Sequence, residues 1–73
     1  MRMREAMVTR AGRTFVGRFR VTGEGSAASV MVQFETTVIC ARKGGLPEEQ
    51  VAETLLGELV QEALAEGEKG RQH

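Results

Sequence analysis

TFVGRFRVTGEGSAASVMVQF, residues 14–34, decides the fold. In its first half Phe15, Gly17, Phe19 and Val21 fall on one side of an extended chain and Thr14, Val16, Arg18, Arg20 and Thr22 on the other, which is the period of a strand with one apolar face. GEGSAA, residues 23–28, supplies a flexible loop. The alternation then resumes, with Val30, Val32, Phe34, Val38 and Cys40 against Met31, Gln33, Glu35, Thr37 and Ile39. An antiparallel hairpin is predicted, its second strand running unbroken through SVMVQFETTVIC, residues 29–40. With Thr22 opposite Ser29, Gly17 comes opposite Phe34, whose ring is placed to cover the bare glycine; a slip of two residues pairs Arg18 with Glu35 instead. Parity turns Cys40 inward as a small apolar residue. No histidine or second thiol is placed to activate it as a nucleophile.

Upstream, AMVTR (6–10) runs into Ala11-Gly12, a pair suited to a tight turn with glycine at positive φ. A third strand is expected there, with Val8 beside Phe15 on the inner face, and Met7 beside Val16 and Glu5 beside Arg18 on the outer face. The competing expectation is a frayed terminus.

Downstream of ARKGG the period changes. Ala52, Leu55, Leu56, Leu59, Val60, Ala63 and Leu64 recur at helical spacing. Pro47 suits the first helical position, Glu48 and Glu49 complement the positive end of the helix dipole, and Gly67 and Gly70 mark its fading end. The predicted fold class is α+β: an antiparallel β-hairpin, extended by the N-terminal segment to a three-stranded meander, with one C-terminal amphipathic helix packed on its apolar face. Residues 1–73 form one small domain, with 1–5 and 68–73 as loose ends.

At 73 residues the chain sits near the size where a single core barely outweighs the entropy lost on folding. Cys40 is alone and the one histidine, His73, is the last residue, so neither a disulfide nor a metal is expected to help. Oligomerisation is the remaining aid. No stretch has the length of apolar residues a membrane span needs, and MRMREAMVTR lacks the apolar middle of a signal peptide, so a cytoplasmic location is expected. The formal charge of zero hides a polarity. Residues 1–45 carry eight basic and three acidic side chains, a net of +5, and residues 46–73 carry two and seven, a net of −5. Such a separation steers an anionic partner to one face or sets subunits against one another.

GEGSAA matches the spacing of the dinucleotide fingerprint, but a strand and not a helix follows it, and Glu24 would repel a phosphate. RKGGLPEE (42–49) puts two cations before a helix start, yet Pro47 lacks a donor and Glu48 and Glu49 occupy the anion's place, leaving a plain connection. Arg18 and Arg20, with Arg2, Arg4, Arg10, Arg13, Arg42 and Lys43, form a candidate nucleic-acid footprint. Phe15 and Phe19 lie on the other face of the strand and offer that surface no stacking platform. The glutamates spaced along the helix are expected to face solvent.

Gly57 interrupts a good helix at a cost of about 0.8–1 kcal/mol relative to Ala, beside Val60 and Leu64, where a helix of a second subunit is one candidate for close approach and simple tolerance at a surface position is the other. The sheet's outer face mixes Met7, Val16, Met31 and Ile39 with Arg18, Arg20, Gln33 and Glu35, a composition closer to a contact surface than to a solvated one. The functional expectation is a small non-enzymatic, homo-oligomeric assembly or regulatory module that binds other macromolecules, with Arg18, Arg20, Met31, Gln33, Glu35, Gly57, Val60 and Leu64 as its interaction residues. The alternative is a nucleic-acid-binding protein using the arginine-bearing sheet face. A pocket between subunits holding a small molecule is a third. No catalytic residue, cofactor or metal is expected.

Overall fold

The structure is a computed structural model and describes residues 3–71. β1 (Arg4–Arg10), β2 (Arg13–Thr22), β3 (Ser29–Phe34) and β4 (Thr37–Arg42) form one antiparallel sheet in chain order, and α1 (Glu48–Arg71) packs across it. The fold is α+β, as the periodicities predict, with four strands in place of three. Of the two registers open to β2 and β3, the structure takes the one with Thr22 opposite Ser29, and Arg18 pairs with Gln33 and not with Glu35. On β1, Val8 lies opposite Phe15, Met7 opposite Val16 and Glu5 opposite Arg18, as expected.

The fourth strand comes from the run 29–40, which is not one strand. Phe34 pairs with Thr37 across a two-residue turn of Glu35 and Thr36, with Glu35 at φ +55°, a conformation that usually selects glycine. Folding back lets β4 satisfy the free backbone edge of β3 and leaves the polar Glu35 and Thr36 in the turn. It also reverses the parity beyond Phe34. Ile39 and Ala41 face the helix side, half-buried, while Val38 and Cys40 are exposed on the outer face. The inward placement expected for Val38 and Cys40, and the outward one for Ile39, are thereby corrected.

The core joins Ala6, Val8, Phe19, Val30 and Val32 of the sheet to Val51, Ala52, Leu55, Leu56, Leu59 and Val60 of the helix. Phe15 and Phe34 meet edge-on at its rim, centroids 6.1 Å apart. Gly17 has a specific tenant: a Cβ built there would stand 2.6 Å from Leu56 Cδ1 and 3.0 Å from the Gln33 carbonyl oxygen. Leu56, not Phe34, covers the glycine.

The Pro47 carbonyl accepts a hydrogen bond from the Val51 N–H at 3.2 Å, so Pro47 caps the helix one residue ahead of Glu48. Arg4 fastens the same end. Its Nη2 lies 3.0 Å from Glu49 Oε1 and 3.2 Å from Glu48 Oε2, and its guanidinium sits 4.7 Å from the centroid of the Phe19 ring, combining ion pairs with a cation–π contact. Both ordered ends reach further than expected: β1 takes in Arg4 and Glu5, and α1 continues through Gly67 and Gly70 to Arg71. Residues 1–2 and 72–73 of the expected loose ends lie outside the described residues. Burial of α1 fades after Val60, with Ala63 and Leu64 half-buried and Ala65 and Glu66 exposed.

GEGSAA contains a single 3₁₀ turn, Gly25–Ala27, and is tied to the β4–α1 connection: Lys43 N–H donates to the Ala28 carbonyl at 2.8 Å and Gly44 N–H to that of Ser26 at 3.1 Å. These bonds tie the connection ahead of the helix to the β2–β3 loop.

Candidate interaction surface

The helix covers one face of the sheet, and among the described residues nothing covers the other. Because the strands are in register, the outward side chains fall into cross-strand rows. Met7 sits beside Val16. Glu5, Arg18, Gln33 and Val38 form a second row, Arg20, Met31 and Cys40 a third, and Ser29 and Arg42, with Thr22, a fourth. Met7 is 62% exposed, Val16 47% and Val38 48%. These are large apolar side chains for a solvated surface, and they are interleaved with the guanidinium groups of Arg18, Arg20 and Arg42.

Five of the expected interaction residues come together here. Arg18, Gln33 and Glu35 line an open depression of about 200 Å³ with Val16 and Gly17, and Arg20 pairs directly with Met31. The other three belong to the opposite layer. Val60 is fully buried against the sheet, Gly57 is buried, and Leu64 packs half-buried on the core. Within the chain Gly57 is approached by Arg10, whose Nη2 would stand 2.7 Å from a Cβ built on the glycine, so simple tolerance at a surface position does not account for it. The Arg10 side chain is flexible and exposed and has room to withdraw. Gly57→Ala is therefore expected to leave the protein as stable or to stabilise it by up to about 1 kcal/mol through helix propensity. Urea unfolding would measure this, and a clear loss of stability would show that Arg10 has nowhere else to go.

The candidate arginine footprint divides between the two layers. Arg4 is engaged with Glu48, Glu49 and Phe19, and Arg13 lies 5.5 Å from the Phe15 centroid on the helix side. Arg18, Arg20 and Arg42 remain on the outer face, and among the described residues no carboxylate lies within ion-pairing distance of any of them. Glu5, opposite Arg18, forms no such pair. Arg2 and His73 lie outside the described residues. All three phenylalanines, Phe15, Phe19 and Phe34, pack on the helix side, which leaves the arginine surface without an aromatic platform.

No protein-family model, curated protein or solved structure matches the chain. The surface itself is what bears on function. Among the described residues, no polar or charged side chain is buried, no three potential metal ligands gather, and no helix is long and apolar enough to cross a membrane.

Sequence reasoning missed Val38 and Cys40 as members of this face. Two signals pointed to them. The run 29–42 is long for one strand, since strands usually span five or six residues, and its polar centre, Glu35-Thr36-Thr37, marks a place to turn.

Proposed function

We propose that this chain is a non-enzymatic assembly module of the cytoplasm, which associates with a second copy of itself through the uncovered sheet face. The observation that carries this is the exposure of Met7, Val16 and Val38 on a face that also holds Met31 and Cys40. Among the described residues the exposed large hydrophobics are Met3, Met7, Val16, Val38 and Leu46, and none of them lies on α1. Apolar surface is thus removed from water by setting sheet against sheet, not sheet against helix. The mixture of Arg18, Arg20 and Arg42 with Glu5 and Glu35 on and beside the face gives it both signs of charge, which suits an isologous contact in which the same patch meets itself. Four strands about 4.8 Å apart and roughly 20 Å long make a face whose pairing covers on the order of 1,000 Å², the lower end of stable interfaces. An exposed, unpaired thiol at Cys40 is compatible with a reducing compartment.

Sedimentation equilibrium tests self-association. The protein is expected to run as a multiple of its 8.0 kDa chain mass, and Val16→Asp, which sets a charge among the apolar side chains without touching the core, is expected to weaken association at least tenfold. A monomer at all attainable concentrations would refute it. Should the protein instead retard DNA or RNA in a salt-dependent manner lost in Arg18→Ala/Arg20→Ala, with its mass unchanged, the arginine face serves phosphates.

A further inference from the structure

The sheet has two free edges, and they differ. β1, REAMVTR, carries Arg4, Glu5 and Arg10, the charged side chains that blunt an edge against pairing. β4, TVICAR, has no charge before Arg42 and is rich in residues that favour strands. It is also incompletely buried on both sides: Val38 and Cys40 are exposed on the outer face, and Ile39 and Ala41 are half-buried against the core on the other, since α1 lies chiefly over β1 and β3. An apolar edge strand with its backbone groups open to one side is a template for another strand.

We infer that β4 pairs antiparallel with β4 of a second copy, extending each sheet to eight strands. This rests on the self-association proposed above and adds a second contact to it. A two-fold axis through the sheet keeps each face on its own side, so only registers centred on a residue are allowed. Centring on Cys40 sets the bulky Ile39 against the small Ala41 of the partner subunit twice on the helix side, and Val38 against the stem of the partner's Arg42 on the outer side. No like charges meet. Centring on Ile39 would oppose that bulky side chain to itself. By contrast, β1 paired about Met7 would place Arg4 opposite the partner's Arg10 and repel. Edge and face contacts together close a tetramer of two stacked eight-stranded sheets with no open end at β4.

The Cys40 register gives a direct readout. Residues opposed across an antiparallel pair have Cα atoms about 4.5–5.5 Å apart, within the roughly 4.4–6.8 Å a disulfide spans. Because stacked sheets can also be joined by a disulfide, the crosslink is diagnostic of β4 pairing in Val16→Asp, where the face contact is weakened. Diamide removes two electrons and two protons from a pair of Cys40 thiols and is itself reduced to the hydrazine. At stoichiometric diamide, both the wild type and Val16→Asp are expected to convert to a disulfide-linked dimer on a non-reducing gel. Cys40→Ser is expected to keep the wild-type mass, because the thiol reports on the contact and does not make it. An oligomer that depends on Val16 but does not crosslink overturns the β4 pairing and leaves the face contact standing. Crosslinking with a mass indifferent to Val16→Asp supports β4 pairing and removes the face contact. A monomer that does not crosslink removes both.

Discussion

Gly17→Ala is expected to cost about 1–3 kcal/mol, the usual penalty of overpacking a core, and Gly17→Val more, since its γ-methyls enter the same space. The reason lies in what receives the new atoms. A Cβ at Gly17 meets Leu56 Cδ1 at 2.6 Å on one side and the Gln33 carbonyl oxygen at 3.0 Å on another. Leu56 is fully buried and has no free direction in which to retreat, and the carbonyl belongs to the neighbouring strand. For a chain of this size each kcal/mol lowers the melting temperature by roughly 4–8 °C, against a total stability of roughly 4–11 kcal/mol. Gly17→Val thus takes most of the available margin. A double-mutant cycle isolates the cause. Leu56→Ala alone is expected to cost about 2–5 kcal/mol, but combined with Gly17→Ala it vacates the space the new methyl needs, so the pair should be less destabilising than the sum by about 0.5–3 kcal/mol. Strict additivity in urea titrations would show that the two residues do not share that space.

Phe19→Ala is expected to lose about 3–5 kcal/mol and to leave little folded protein at ambient temperature. Phe19 is 1% exposed, lies opposite Val32 in the middle of the sheet and is roofed by the Arg4 guanidinium. Truncation opens a void under α1 and removes the ring on which Arg4 rests while it holds Glu48 and Glu49. Phe15→Ala provides the comparison. Phe15 is half-buried at the rim, with Phe34 as its edge-on neighbour, so part of its ring already meets water and less is lost. Equal losses for the two, measured by the same denaturant titration, would contradict a core centred on Phe19.

Much of this architecture was legible from period alone. The two-residue alternation of β2 placed Phe15, Gly17, Phe19 and Val21 on one face, and the helical recurrence from Ala52 to Leu64 marked the stripe that meets them, because burial of one face imposes a period that short-range conformation cannot mimic. The register of β1 on β2 followed from matching those faces, whereas two registers of β2 on β3 matched them equally well and the structure takes the one with Thr22 opposite Ser29. The Glu35–Thr36 turn did not. Its residues lack the glycine, asparagine or aspartate that normally announces a two-residue hairpin, and Glu35 takes a positive φ that tertiary pairing imposes and local propensity does not favour. One unannounced turn was enough to invert every side chain after it, exchanging Ile39 for Val38 and Cys40 on the outer face.

Gly57 is a different case. Gly57 was legible as a place of close approach, but identifying the visitor required knowing that Arg10, far upstream in the chain, ends its strand beside the middle of α1.

The order of the sheet also bears on how quickly it forms. Each strand hydrogen-bonds to its immediate successor, through Ala11–Gly12, residues 23–28 and Glu35–Thr36, so every ladder closes a short loop and the entropy of closure stays small. Only the docking of α1 onto the sheet brings together distant parts of the chain. A topology built from such neighbourly contacts belongs among the quick folders.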